Sequence, residues 1–256
     1  MKIFKIPTNL KTIIFDIDST LYTNDEYAIE QVDIQLRHFA KLKNTTPEQI
    51  RKMIEDFRTK YSEQHNGKKI SLGNTLTHFG ISIEESIKWR ETLLEPKLFL
   101  TRDEKLISVL SKLKERFNMI CVTNNPVLPA FKTLQAIGIE NLIPQIIGLD
   151  TCHKSKPDSE ILTLAAKKTN AKLEECLSVG DRFDIDLRLA LELGMGGILV
   201  DGVEDIYTFD TCNGKTGCLY FILDGTDALS APYLARLCII QCCDNSLYSR
   251  DLSDLF

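Results

Sequence analysis

Apolar residues in this chain follow two rhythms that take turns. Short, mostly apolar runs at Ile13-Ile14-Phe15, Met119-Ile120-Cys121-Val122 and Leu177-Ser178-Val179 have the length and composition of buried strands. Between them, apolar positions recur every three or four residues, as on one face of a helix. After Thr101-Arg102-Asp103-Glu104, which reads as a cap, Leu106, Ile107, Leu110, Leu113 and Phe117 predict one such helix. Others are predicted from Pro129 to a stop at Gly138, from Asp158 to Thr169, and from the acidic run after Gly180 to Leu193. Strands are predicted at Gln145 to Leu149 and at Gly197 to Val200. Such alternation predicts an α/β domain: a parallel sheet with helices on both faces.

About a hundred residues separate the first two strands, too many for a bare loop in a compact domain. Their pattern is helical. Ile29, Val32, Leu36, Phe39 and Ala40 recur at helical spacing, and so do Ile50, Met53, Ile54, Phe57 and Tyr61. Thr46-Pro47-Glu48-Gln49 reads as a capping box with proline at the first helical position. Ser82 to Leu94 reads as a third helix, opened by Ser82 and Glu85 and ended by Pro96. Residues 24–96 therefore form an expected α-helical cap, inserted into a sheet domain made of residues 1–23 and 97–256. A cap closing over a site would exclude water and set specificity. Tyr27, Arg58, Tyr61 and His65 are its candidate substrate contacts, although an exposed helical face is the simpler expectation for each. Beyond Asp201, Leu219 to Leu223 suggests an edge strand and Asp227 to Cys238 a last helix.

Chemistry concentrates where strands end. The first runs into Asp16 and Asp18, then Ser19, Thr20, Leu21 and Tyr22. Two carboxylates beside a buried strand repel each other and call for a cation. Mg²⁺ takes one or two carboxylates together with water and phosphate, so the spacing suggests phosphate chemistry. The second strand ends in Thr123, Asn124 and Asn125, a hydroxyl and amides able to hold a phosphoryl oxygen. Lys156, before Pro157-Asp158, sits at a helix entry where anions bind. The third strand runs through Gly180 into Asp181, Asp184 and Asp186. Each segment alone could be an ordinary polar turn. In an open α/β sheet, however, all four would meet outside the carboxyl ends of the strands.

These four segments, in this order, resemble the haloacid dehalogenase-like hydrolase superfamily, and its phosphatases in particular. The likeness runs from Lys11 to about Val200. Asp16-Ile17-Asp18-Ser19-Thr20 stands for the Asp-x-Asp-x-Thr signature, with Ser19 where many members carry glycine. Thr123-Asn124, Lys156-Pro157 and Gly180-Asp181 through Asp186 stand for the other three motifs. The resemblance implies a Rossmann-like core with an inserted helical cap. It implies Asp16 as nucleophile, forming an aspartyl-phosphate, and Asp18 as acid to the leaving oxygen and then base to water. Mg²⁺ would be held by Asp16, by the backbone carbonyl of Asp18 and by Asp181. Lys156 would stabilise Asp16 and the phosphoryl charge; Thr20, Thr123 and Asn124 would help hold phosphate. Asp186 or Asp184 would support Lys156 or the metal, the other serving only as a helix cap. Dehalogenases need no acid at Asp18, which favours phosphoryl transfer.

Composition narrows the field further. Hydrophobic residues make up 43% of 256, enough for a sizeable core. A net charge of −5 and no dense basic run argue against a nucleic acid polymer as partner. Eight cysteines include no C-x-x-C pair. With no long apolar N-terminal stretch, neither a signal peptide nor a membrane span is expected, and a reduced cytoplasmic protein is the simplest account. The function expected is a Mg²⁺-dependent phosphatase acting on a small-molecule phosphate ester. Tyr22 after Thr20-Leu21 resembles the pyrimidine 5′-nucleotidase-like form of the motif, making a nucleoside monophosphate one candidate. The alternatives are a phosphotransferase such as a sugar phosphomutase, and a non-catalytic regulatory protein of the same fold.

Overall fold

The computed structural model describes residues 1–210, which form two compact units. One joins Met1–Thr23 to residues 100–210; the other is Asn24–Phe99. The strand and helix expected at 219–223 and 227–238 lie outside the described residues.

The first unit is built on a six-stranded sheet. Its strands are β1 (Lys2–Lys5), β2 (Thr12–Phe15), β3 (Asn118–Val122), β4 (Ile146–Ile147), β5 (Cys176–Gly180) and β6 (Gly196–Leu199), in the order β1-β6-β5-β2-β3-β4. Every residue of β2 is buried, as a central parallel strand covered on both faces requires. Its neighbours β3 and β5 both run parallel to it, with Phe15 level with Cys121 on one side and Val179 on the other. Three strands thus end side by side where the order reverses, the place where such sheets bind ligands.

The sheet is not wholly parallel. β1 pairs antiparallel with β6 at one edge and was not legible in the sequence. Lys2-Ile3-Phe4-Lys5 buries no side chain fully, so it lacks an apolar run, and its lysines suit an exposed edge.

The unit Asn24–Phe99 carries four helices: α1 (Asp25–Leu42), α2 (Pro47–Gln64), α3 (Leu72–His78) and α4 (Ile83–Leu93). Thr46 and Gln49 close the capping box of α2 in both directions, each bond 3.3 Å long. Ser82 caps α4 by accepting from Glu85 N at 3.1 Å. Helix α3 is only seven residues long, too short for a periodic signal, and starts at a Ser71 cap. Phe39, fully buried, lies between Trp89 and Phe79 with ring centroids 6.2 and 6.4 Å away. Two expectations are corrected. Ile29, assigned to the apolar face of α1, is exposed, whereas Tyr27 is buried and stacks on Phe99 at 5.6 Å. Arg58 donates to the carbonyl of Ile70, and the rings of Tyr61 and His65 stack at 3.9 Å.

The remaining helices belong to the sheet unit: α5 (Glu104–Lys114), α6 (Val127–Ile137), α7 (Leu149–Cys152), α8 (Ser159–Lys168), α9 (Arg188–Glu192) and α10 (Val203–Ile206). Asp103, not Thr101, caps α5, accepting from Leu106 N at 2.9 Å. Helix α6 starts two residues before Pro129, and Gly138 ends it at φ +82°, a conformation glycine adopts without strain. Beyond Ile147 the expected strand turns instead into α7, because Gly148 N donates to Thr151 Oγ1 and starts a helical turn. Asp158 caps α8. Ile14, Ile120, Val122, Leu162, Ala165 and Met195 share one apolar cluster between strands and helices.

Replacing Phe39 with alanine should lower stability by about 3–5 kcal/mol, the usual cost of emptying a phenylalanine site. Denaturant unfolding followed by circular dichroism reads this directly; a loss under about 1 kcal/mol would contradict its place at the centre of that core.

Candidate active site

Four loops leave the carboxyl ends of β2, β3, β4 and β5, and each delivers polar side chains. The β2 and β5 ends are tied by Asp16 N, which donates to the carbonyl of Val179 at 2.9 Å. The chain then turns at Ser19, whose φ of +56° is a left-handed conformation that costs a non-glycine residue roughly 1–2 kcal/mol. This explains physically why glycine would be at home at that position.

Lys156 is the hub. Its ammonium donates to Asp16 Oδ1 at 2.5 Å and to Asp186 Oδ1 at 2.6 Å, and all three side chains are buried. Asp186 is itself held, taking a bond from Arg182 N at 3.0 Å on Oδ2, while its carbonyl accepts from Ser178 Oγ at 2.8 Å. Gly180 makes room for this: a Cβ there would lie 2.5 Å from Asp186 Cβ. A π-helical turn at Phe183–Leu187 swings Asp186 inward. Asp184 in the same turn is exposed and pairs with Arg188, so the two aspartates are told apart by geometry. Arg182 carries no assignment from the sequence. It is drawn toward Asp181, with Nε 3.8 Å from Oδ1.

Asp18 faces other partners than Asp16. Its Oδ1 accepts from Tyr22 Oη at 2.5 Å and its Oδ2 from Asn125 Nδ2 at 2.8 Å. Thr123 is buried, and its Oγ1 accepts from Asn125 N at 3.1 Å. Asn124, expected at the phosphate, reaches the lysine loop: Oδ1 accepts from Lys156 N at 2.6 Å and Nδ2 donates to Lys156 O at 3.4 Å. Its amide thus grips the lysine loop by the backbone. Thr20 is fully buried, and its hydroxyl has no hydrogen-bond partner among the described residues.

Charge is unbalanced here. Asp16, Asp181 and Asp186 place carboxylate oxygens within 4.8 Å of one another, against the single ammonium of Lys156 and the guanidinium of Arg182 at the edge. Burial, reinforced by the neighbouring carboxylates, pushes Asp16 up to about 6 and Asp181 up to about 7. Burial alone would lower Lys156; Asp16 and Asp186 outweigh it and hold the ammonium above its ordinary value. Arg182 is likewise raised, burial being outweighed by Asp16, Asp186, Asp181 and Asp18. Asp16 Oδ2 and Asp181 Oδ1 are buried without a hydrogen-bond partner among the described residues. Two orphaned carboxylate oxygens beside excess negative charge fit a hard divalent cation.

This strand-end cluster of carboxylates around a lysine can be compared with known proteins. The profile described as haloacid dehalogenase-like hydrolase matches residues 13–200, and the chain belongs to that family. A glyceraldehyde 3-phosphate phosphatase of Methanopyrus kandleri is 24% identical over 196 residues, covering 73% of this chain and 82% of the relative. Pyrophosphatase PpaX of Listeria monocytogenes is 23% identical over 203 residues, covering 78% and 89%. Among solved structures, the HAD-hydrolase YfnB of Bacillus subtilis, in a magnesium-bound form, superposes with a TM-score of 0.52 at 18% identity. It covers 79% of this chain and 99% of YfnB, a likeness of fold.

Two outcomes follow from this geometry. Gly180→Ala should displace Asp186 from Lys156, since the contact is with the base of a buried side chain; a crystal structure of the variant with Asp186 unmoved would contradict this. Without metal, Asp16 and Asp181, pushed up to about 6 and about 7, hold protons in the folded state that an aspartate of the unfolded chain, with its ordinary value near 3.8, has already lost. The folded state then binds more protons than the unfolded one, so this contribution to stability falls as pH rises through that window. Asp181→Asn removes one of the two groups. In chelator, the melting temperature of the wild type should therefore drop relative to the variant as pH rises from about 4 to about 7, the span between an ordinary aspartate and Asp181. Parallel pH curves would show that Asp181 titrates normally.

Proposed function

We propose that this phosphoric monoester hydrolase is a Mg²⁺-dependent phosphatase that cleaves a small phosphorylated metabolite through an aspartyl-phosphate on Asp16. The observation that carries this reading is the buried Asp16 carboxylate, clamped on one oxygen by Lys156, while the other, beside Asp181, has no hydrogen-bond partner among the described residues. Phosphatases among its relatives agree with it.

Asp16, Asp181 and the backbone carbonyl of Asp18 would hold Mg²⁺, whose chemistry when bound is to neutralise phosphoryl oxygens and fix their direction. The all-oxygen donor set is the hard kind this ion prefers. Lys156 keeps Asp16 aligned and in its charged form, and lends positive charge to the phosphoryl group. Thr123 Oγ1 accepts from Asn125 N, and its hydroxyl proton is the part it offers to phosphate. The carboxylate of Asp16 attacks phosphorus while Asp18 gives a proton to the leaving oxygen. Asp18 then takes a proton from the water that releases phosphate from Asp16.

The inserted unit Asn24–Phe99 is the proposed cap and the proposed source of substrate selection. Tyr22, which suggested a nucleoside monophosphate, spends its hydroxyl on Asp18 and so does not speak for a base. The proposed setting is a reducing cytoplasm. Cys121 and Cys176 are buried free thiols in β3 and β5, both pushed up by burial, Cys176 to about 11. Among the described residues no helix is long and apolar enough to cross a membrane.

Asp16→Asn is nearly isosteric but cannot attack phosphorus. It should reduce release of inorganic phosphate from para-nitrophenyl phosphate to background while the melting profile stays cooperative. Chelation should silence the wild type, and Mg²⁺ should restore it. Undiminished turnover in the variant would refute Asp16 as nucleophile.

A further inference from the structure

We infer that Tyr22 and Asn125 are positioning residues for the reaction, jointly setting the direction of the Asp18 carboxyl. The inference deepens the phosphatase reading and rests on it. Tyr22 Oη donates to Asp18 Oδ1 at 2.5 Å, and Asn125 Nδ2 donates to Oδ2 at 2.8 Å. One donor lies four residues along the same loop; the other lies 107 residues away, at the end of a different strand.

Both donors are themselves fixed. The Tyr22 side chain is buried at 5% exposure. Asn125 is pinned through its backbone: its N–H donates to Thr123 Oγ1 at 3.1 Å and its carbonyl accepts from Leu149 N at 3.0 Å. Asp18 is only half-buried, so water could satisfy its carboxylate. Two rigid protein donors on opposite oxygens do something water does not: they stop rotation of the carboxyl group. Held in this way, the carboxyl carries its transferable proton in a fixed direction.

That proton is the one the reaction needs. As the bond from phosphorus to the leaving oxygen breaks, the electron pair goes to oxygen, which takes the Asp18 proton. The resulting carboxylate later takes a proton from the attacking water. Proton transfer depends steeply on geometry, and misplacement by about 1 Å can cost on the order of 10²-fold. Leaving groups that are poor without protonation should feel the loss most.

The test compares single-turnover cleavage of phenyl phosphate and para-nitrophenyl phosphate by the Mg²⁺-loaded wild type, Tyr22→Phe and Asn125→Ser. Tyr22→Phe keeps the ring and removes only the donor. Both variants should lose about 10-fold more rate on phenyl phosphate than on the nitrophenyl ester, a part of the roughly 10²–10⁴-fold that a general acid supplies. Equal loss on both esters, or none on either, would overturn the inference, because a packing defect has no reason to sense leaving-group basicity. Asp18→Asn separates the two levels. If that variant shows no leaving-group discrimination, Asp18 is not the acid and the underlying reading fails. If it discriminates and the positioning variants do not, only the inference fails.

Discussion

A lysine ammonium held between two buried carboxylates is what the rest of this site leans on. Lys156 reaches Asp16 across 140 residues of sequence and Asp186 across 30. Neither the lysine nor the aspartates could be buried alone, since an unpaired charge in the interior shifts its proton equilibrium or forces the structure open. Removing one member of a buried pair commonly costs about 3–5 kcal/mol, because the partner is left uncompensated. The cluster is overcharged even so. Asp181 adds a further carboxylate, and Asp16 Oδ2 and Asp181 Oδ1 have no hydrogen-bond donor among the described residues. Such a surplus of negative charge suits the site to take up a dication and an anion together.

The sheet makes this clustering possible by aligning strand ends. With β2 flanked by β3 and β5 in parallel register, residues just past Phe15, Val122 and Gly180 emerge at one edge. Small backbone features then aim the side chains. Gly180 leaves space for Asp186, the turn at Phe183–Leu187 rotates it inward, and Asn124 holds the lysine loop from behind. Asp16 and Asp18, two residues apart, have different partners, and the left-handed turn at Ser19 follows them. One is embedded among charges, and the other is held by a phenol and an amide. Adjacent carboxylates in distinct surroundings can take the distinct tasks proposed for them.

Much of this was legible from the chain itself. Runs such as Ile13-Ile14-Phe15 mark strands, Gly138 marks a helix end, and Thr46 with Gln49 or Asp158 marks a helix start, because these choices are settled among residues a few positions apart. The residue types after each strand likewise announce phosphate chemistry, since few other tasks ask for that set of aspartates with a lysine. Edge strand β1, the inward face of Tyr27, the preoccupation of Asn124 with a backbone, and the grip of Tyr22 and Asn125 on Asp18 carried no such local mark. Periodicity and capping express interactions within a turn or two of chain, so sequence alone determines them. Which donor meets which carboxylate, and which aspartate turns inward, depends largely on segments 30 to 140 residues apart brought together by strand register, and only the folded sheet decides that.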